Sequence, residues 1–442
     1  MSENGQPRLE RRIGLGGSVL LSFNGVLGAG IFALPATLAV TYGSFSPWLF
    51  PLVAVASLLI IVPFARSAGS FSQSGGPAEY GRVFGRFVGF ELGWIYYLAR
   101  TAAFAANANV LTAYLARWWT GADQGLTRAA IIVGICALFA LVNIAGVKRA
   151  LALLGGLTLL KALPLLVAAL AVLLIAFPPP APGPMPPLSE LEAGVLLVFY
   201  AFVGFENAVV PTGETKRPGA VLPRAIFATI ASTTLLYFLV QLAFVSALPD
   251  GAADDKAPLI DLGRWLAGPS GAALITLAAV ASLSGNLHGI ITSTSRVTYA
   301  LGERGDLPAW FARIQPRFQT PANSIAFLAL FAGALALTGS FIWLAVISTL
   351  ARLIVYAATI AALPLAPQRG AVHPLMYASG IAGIALCLWA ASQADWQAWS
   401  TLGLLALAGA ALYALAARGR SSAEQAAKVS AIQPPPSNRE SS

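Results

Sequence analysis

Lys161, Glu206, Arg100, Arg352 and His288 each stand inside an otherwise apolar stretch of this 442-residue chain. A charge held at the centre of a bilayer costs about 2.5–3.5 kcal/mol or more, so such groups mark ion or substrate contacts, proton relays or buried pairs. An amine such as Lys161 can be a fixed cation bonded to carbonyls or the carrier of a coupling proton. Histidine titrates near physiological pH and suits a proton sensor. A lone histidine is more often a satisfied packing residue, and that reading is preferred for His288. Asn107 and Asn109 read as hydrogen-bonders between helices. Phe202, Phe205 and Tyr97 could gate a pocket, although aromatic core packing is the commoner role.

Two short runs say where such groups would converge. One is Gly28-Ala29-Gly30-Ile31-Phe32-Ala33-Leu34-Pro35; the other is Gly204-Phe205-Glu206-Asn207-Ala208-Val209-Val210-Pro211. Each places a proline seven residues after a glycine in an apolar segment. In a helix interior, Gly costs about 1 kcal/mol and Pro about 3 kcal/mol relative to Ala. A backbone opened at membrane depth exposes N–H and C=O groups that lipid cannot satisfy. A single interruption is usually a kink. Matched interruptions in two halves of a chain point to the substrate site of a secondary transporter.

The elements that must position these groups are membrane helices. The chain is 57% hydrophobic and 10% charged, with a mean hydropathy of +0.74, whereas a soluble domain carries about 25% charged residues. Long apolar runs without strand alternation argue for helices over a barrel. Met1 to Arg12 is too polar for a signal peptide, so the first span opens at Ile13. The pattern predicts twelve spans: 13–42, 46–65, 87–116, 128–146, 150–177, 193–213, 222–247, 270–301, 321–338, 341–365, 372–391 and 397–417.

With the N-terminus in the cytoplasm, nineteen of the 27 Lys and Arg residues fall on the inner side, including Arg66, Arg82, Arg86, Lys216, Arg217, Arg304 and Arg369. Only Arg117, Arg128, Lys256 and Arg264 fall outside. This bias supports both the count and an inside location for both termini. It also explains the formal charge of +9 without nucleic acid. Asp250, Asp254, Asp255 and Asp261 cluster on the outer side. Pro178 to Pro187 reads as a stiff outer connector. The polar tail from Ser421 reads as disordered. The Gly-rich turn from Ser72 to Gly76 reads as leading into a short cytoplasmic helix.

Other chemistries lack their residues. Among the two histidines there is no HExxH pair, and there is neither a GxSxG nor a GxxxxGK[ST] run, which argues against an enzyme or a nucleotide site. Cys136 and Cys387 read as buried packing residues, not a disulfide or metal site. No cofactor or metal is expected. A channel would need no matched breaks, and a scaffold or receptor would not explain Lys161 and Glu206 within spans.

In order along the chain, Gly28-Ala29-Gly30-Ile31-Phe32, Ser74-Gly75-Gly76-Pro77-Ala78-Glu79-Tyr80, Ala201-Phe202-Val203-Gly204-Phe205-Glu206, Gly213-Glu214-Thr215-Lys216-Arg217-Pro218, and Ser295-Arg296 through Gly305-Asp306-Leu307-Pro308 form a recognisable set. With them, residues 13 to 420 resemble the amino acid–polyamine–organocation transporters, which include arginine/agmatine antiporters and bacterial amino acid permeases. The resemblance implies an all-α integral membrane protein with the leucine-transporter fold. Helices 1 and 6 would be discontinuous. The first inverted repeat would occupy 13–185 and the second 186–366; the last two spans would lie in 367–420, with cytoplasmic tails at 1–12 and 421–442.

It further implies a sodium-independent amino acid transporter of the bacterial inner membrane, working by proton symport or by exchange of amino acids and amines. A passive channel for small zwitterions is the alternative. The partners implied are a small amino acid or amine and membrane lipid; monomer and homodimer are both open.

The resemblance also assigns roles. Backbone N–H groups at Gly28, Ala29, Gly30 and Ile31 would face a substrate carboxylate beside a positive half-helix end, and freed carbonyls would take its ammonium. Gly204, Phe202, Phe205, Asn286 and His288 would complete the pocket. Lys161 would replace the sodium of sodium-coupled relatives and bridge to the first span; whether it also carries a proton is open. Glu206 would sense protons or pair with an arginine. Arg100 stands where a smaller residue is more usual. It is expected to pair with Glu206, the alternative being a substrate side-chain carboxylate. It argues against a cationic substrate, as does Arg352, whose partner the sequence does not name.

Overall fold

The structure, a computed structural model, describes residues 13–70, 76–146, 150–208, 215–249, 256–366 and 373–432. Outside them lie the tail before Ile13, Ser72 to Gly75, Lys148, Arg149, Pro211, Gly213, Glu214, Asp250, Asp254, Asp255, Arg369 and the final prolines. Among the described residues, regular structure is helical, with isolated bridges only at Ile13–Thr215 and Gln315–Thr320.

The apolar runs become helices in the order expected. They are α1 (Leu15–Val26), α2 (Ala29–Tyr42), α3 (Leu49–Ala68), α4 (Pro77–Gly81), α5 (Arg86–Leu115), α6 (Gly125–Ile144) and α7 (Ala150–Ile175). Then come α8 (Leu188–Phe202), α9 (Pro218–Ala247), α10 (Leu259–Glu303), α11 (Ala322–Thr338), α12 (Phe341–Ala361), α13 (Pro374–Ser392) and α14 (Trp396–Ile432). Among the described residues, seven helical stretches are long and apolar enough to cross a membrane: Ala29–Ala68, Gly125–Ile144, Gly219–Ala247, Leu259–Glu303, Phe341–Leu365, Pro374–Ser392 and Trp396–Gly419. Shorter apolar helices, among them Leu15–Val26 and Gly194–Ala208, accompany them. The chain is a multi-pass membrane protein.

Helix α10 takes in a short helix from Leu259 as well as the expected eighth span, the two meeting where Ala267 and Gly268 leave helical geometry before Pro269. One boundary differs from the sequence reading. The last helix runs on to Ile432, so the stretch from Ser421 read as disordered is helical as far as that residue, the rest lying outside the described residues. Its polarity misled: Ala, Glu, Gln and Lys are polar or small but are strong helix formers.

Helix α5 is the axis of the packing. It is buried along most of its length, and α10 and α12 lie against it. Helix α1 packs on α9, α7 on α9 and α10, and α13 on α3 and α12. At one end of the bundle two motif pieces meet. Glu79 pairs with Arg304, and Arg86 Nε donates to Asp306 Oδ1 at 2.7 Å, tying the start of α5 to the end of α10. The start of the first interrupted segment also touches the stretch that follows the second, where the Lys216 N–H donates to the Ile13 carbonyl (2.8 Å).

Candidate functional site

The first break separates α1 from α2 at Leu27 and Gly28. The last four carbonyls of a helix have no partner within it, and here each finds one elsewhere. Asn24 O accepts from Lys161 Nζ and Asn286 Nδ2, both at 3.3 Å. Asn286 Nδ2 also reaches Gly25 O at 3.3 Å. Val26 O accepts from Tyr237 Oη at 3.0 Å and the Gly28 N–H at 2.8 Å. Leu27 O faces Lys161 Nζ and Ser282 Oγ, both at 3.4 Å. Lys161 is fully buried and also donates to the side-chain oxygen of Asn24. It therefore spans from α7 to the end of α1 and closes on neutral oxygens.

The second break follows α8. Val203 is extended and Gly204 has φ +114°, after which Phe205–Ala208 form one 3₁₀ turn. Glu206 folds back on this segment, its Oε2 accepting the Gly204 N–H at 2.8 Å. Arg352 Nε donates to Glu206 Oε1 at 2.9 Å, and Tyr356 Oη to Oε2 at 2.9 Å. Both carboxylate oxygens are thus engaged, and neither Glu206 nor Arg352 is more than 2% exposed.

The two breaks lie against each other. A Cβ on Gly204 would stand 2.3 Å from the Gly25 carbonyl oxygen, and one on Gly25 would stand 2.6 Å from that of Gly204. Only glycine at both positions permits this approach. A cleft opens beside the contact, lined by Gly25, Gly28, Ala29, Gly30, Arg100, Asn107, Tyr200, Gly204, Asn286 and Arg352. Its free volume is only about 20 Å³. A larger cavity of about 500 Å³ continues the seam between α2 and α5, lined among others by Thr37, Asn109, Asp123, Arg128, Lys256 and Phe341. The Tyr200 ring of the cleft meets the Phe341 ring of the cavity edge to face, 5.7 Å between centroids.

Several expected site residues stand at this cleft and others do not. Gly28, Ala29, Gly30, Gly204, Arg100 and Asn286 line it, and Glu206 reaches it through Arg352. Ile31 is packed in the core. Phe202 packs on Phe50 and Tyr237, and Phe205 on Phe64 and Tyr356. Tyr97 stacks on Trp94 and Phe327. His288 faces α6, its Nδ1 lying 3.2 Å from Asn143 Nδ2. Residues two apart on a helix point in nearly opposite directions. Asn286 and His288 therefore could not share a face, and Asn286 has the cleft.

The expected pairing of Arg100 with Glu206 is corrected: the partner of Glu206 is Arg352. Arg100 instead donates to Asn207 Oδ1 (2.6 Å), Ser293 Oγ (2.7 Å) and Thr294 Oγ1 (3.2 Å). The cradle is also narrower than expected. The Ala29 N–H is taken by Asn107 Oδ1 at 3.2 Å and the Gly28 N–H by Val26 O. Gly30 and Ile31, in the first turn of α2, keep N–H groups with no partner within the helix.

Sequence reasoning did not place Asn24, Asn107, Asn207, Ser293 or Tyr200 at the site. A signal existed for some: Asn107 follows Arg100 by seven residues and Ser293 follows Asn286 by seven, which keeps each pair on one helix face. Chemically, the cleft offers the positive end of α2, the negative ends of α1 and α8, and the guanidinium of Arg100. These are complements for a small charged molecule with an ammonium and at least one carboxylate.

Comparison with known proteins bears on this geometry. The family model described as amino acid permease matches residues 13–422. The chain is 29% identical over 401 residues to a protein named an uncharacterized transporter in Mycobacterium tuberculosis, covering 86% of each. A protein of the same description in Mycobacterium bovis gives the same figures. It is 26% identical over 343 residues to the branched-chain amino acid permease of Bacillus subtilis, covering 72% of each.

Proposed function

The chain belongs to the amino acid permease family, and we propose that it is a secondary active transporter working by alternating access at the paired breaks. The observation that carries this reading is the contact of Gly25 with Gly204, which brings two interrupted helices to one cleft. Broken helices at membrane depth are tolerated only where protein or a water-lined cavity satisfies them, and they serve there as ion and substrate sites.

In this reading the protein has twelve spans and the leucine-transporter fold. Its repeats are 13–185 and 186–366, two further spans lie in 367–420, and both termini are on the cytoplasmic side of the bacterial inner membrane. A substrate carboxylate meets the first turn of α2, at the N–H groups of Gly30 and Ile31. The ammonium meets the negative ends of α1 and α8. The 500 Å³ cavity is the outer access route, and Tyr200 with Phe341 closes it over the cleft. Lys161 stands in place of a sodium ion, which makes the cycle sodium-independent. The pair of Glu206 and Arg352 holds α8 to α12 in one arrangement, so its parting accompanies the change of access. Coupling is by proton symport or exchange, with Lys161 and Glu206 as the proton-bearing candidates.

Counterflow in proteoliposomes tests this. Purified protein in vesicles loaded with one unlabelled amino acid should accumulate its labelled form, saturably and without sodium. All twenty amino acids and common amines are screened, with leucine, isoleucine and valine included because of the Bacillus relative. Flux that follows voltage without saturating would mean a channel, and absence of amino acid flux would overturn the reading.

A further inference from the structure

We propose that the cleft selects an acidic amino acid, and that Arg100 is the residue that binds its side-chain carboxylate. The inference deepens the transport reading above and rests on it.

Arg352 and Glu206 form a neutral pair in which both carboxylate oxygens are already used. Arg100 is 3% exposed and lines the same cleft. Its hydrogen bonds go to an amide and two hydroxyls, all neutral. Among the described residues no carboxylate lies within ion-pair distance of it. Three of the five guanidinium N–H groups are occupied, leaving one on each terminal nitrogen, the pattern suited to a carboxylate. The nearest compensation is the shared field of Glu206, one negative charge between two guanidiniums. The cleft therefore carries a surplus of one positive charge before Lys161 is considered.

A buried charge without a partner is costly, and truncated pairs show how much of that cost a partner removes. An amino acid with a neutral side chain leaves the surplus standing, since its own charges cancel. A basic one adds to it. An acidic one cancels it: the α-carboxylate goes to the start of α2, the ammonium to the carbonyl ends of α1 and α8, and the second carboxylate to Arg100. The hydroxyls of Ser293 and Thr294 and the amide of Asn207 hold the guanidinium in place beside the break, so its fork is already set when the substrate arrives. A small inorganic anion would also cancel the charge, so the test must separate the two.

The test uses isosteres that differ in one charge. Uptake of L-glutamate against L-glutamine, and of L-aspartate against L-asparagine, is measured in proteoliposomes in chloride-free gluconate medium and again with chloride. The wild-type protein should favour each acid at least tenfold in both media. In Arg100→Gln the ratio of glutamate to glutamine uptake should fall about a hundredfold, the range expected when one partner of a buried charge pair is removed. Arg100→Lys should keep the direction of the preference and lose its strength. If Arg100→Gln does not fold, the wild-type ratios decide alone. Preference for glutamine, asparagine or leucine in the wild type, or for neutral amino acids only when chloride is present, would overturn acidic selectivity and leave amino acid transport standing. No flux of any amino acid would overturn both.

Discussion

The two breaks solve one problem in opposite ways. At the first, the freed carbonyls of α1 are held by side chains from three other helices: Lys161 of α7, Tyr237 of α9, and Ser282 and Asn286 of α10. At the second, the chain holds itself: Glu206 accepts the Gly204 N–H two residues back, and α12 then fixes that carboxylate through Arg352 and Tyr356. One break gathers a cation onto neutral oxygens, whereas the other sets an acid against a base. The difference predicts different failures. Removing the cation at the first break leaves unsatisfied dipoles; removing either charge at the second leaves an uncompensated ion.

The largest effect should therefore come from the second break. Arg352→Met strands Glu206 and should cost about 3–5 kcal/mol, while Arg352→Met with Glu206→Gln should recover most of it. Thermal unfolding of the four proteins in this cycle is the check, and purely additive losses would remove the pair from the account.

Next in size is Gly204→Ala. A side chain at φ +114° is strained, and its Cβ would meet the Gly25 carbonyl at 2.3 Å. Strain alone costs about 1–3 kcal/mol, and the contact adds to it. Gly285→Ala, with nothing within 4 Å of the added Cβ, is the matched control and should be close to neutral in the same melt.

Lys161→Met should follow. It keeps the stem and loses the donors to Asn24 and Leu27; their carbonyls keep Asn286 and Ser282, and the stranded acceptor is the Asn24 side-chain oxygen, an expected cost of about 1–3 kcal/mol. Flux as a function of pH in this variant separates the two roles of the amine. A profile identical to wild type would rule out Lys161 as the proton carrier, and a flat one would support it.

The smallest effect is expected where the sequence reading placed a site residue that the structure puts elsewhere. His288→Gln can still bond to Asn143 and lies off the cleft. It should change stability by less than about 1 kcal/mol and leave the substrate concentration at half-maximal uptake unaltered. A large shift in that concentration would restore His288 to the pocket.

The break positions and the helix order were legible because glycine, proline and apolar run length are local properties. Gly28 and Gly204 mark the interruptions, and the spans follow the hydropathy. Lys161 was legible as well, since a lysine in Leu160-Lys161-Ala162-Leu163 has nowhere to go but inward. Partner choice was not. Glu206 had two candidate arginines in the sequence, and only the rotation of α5 and α12 about their axes decides that Arg352 reaches it and Arg100 turns to Asn207. Asn107 could be named as an interhelical hydrogen-bonder, but not as the group that takes the Ala29 N–H, because that depends on where α2 restarts. The glycines also divide in a way spacing does not reveal. A Cβ on Gly30 would meet the Ala201 backbone at 2.9 Å, whereas one on Gly28 would meet the ends of the Asn286 and Asn107 side chains, at 2.9 and 3.3 Å. Gly30 is held by helix packing and Gly28 by the cleft.

That contrast makes Gly28→Val the most direct test that the paired breaks are the amino acid site. The measurement is calorimetric binding of whichever amino acid drives counterflow in the wild-type protein, made on Gly28→Val that is monodisperse and melts within a few degrees of wild type. The account predicts that binding is lost while the fold is kept, because the valine fills the cleft beside the first turn of α2. Binding with unchanged affinity in the folded variant would place the substrate elsewhere in the protein.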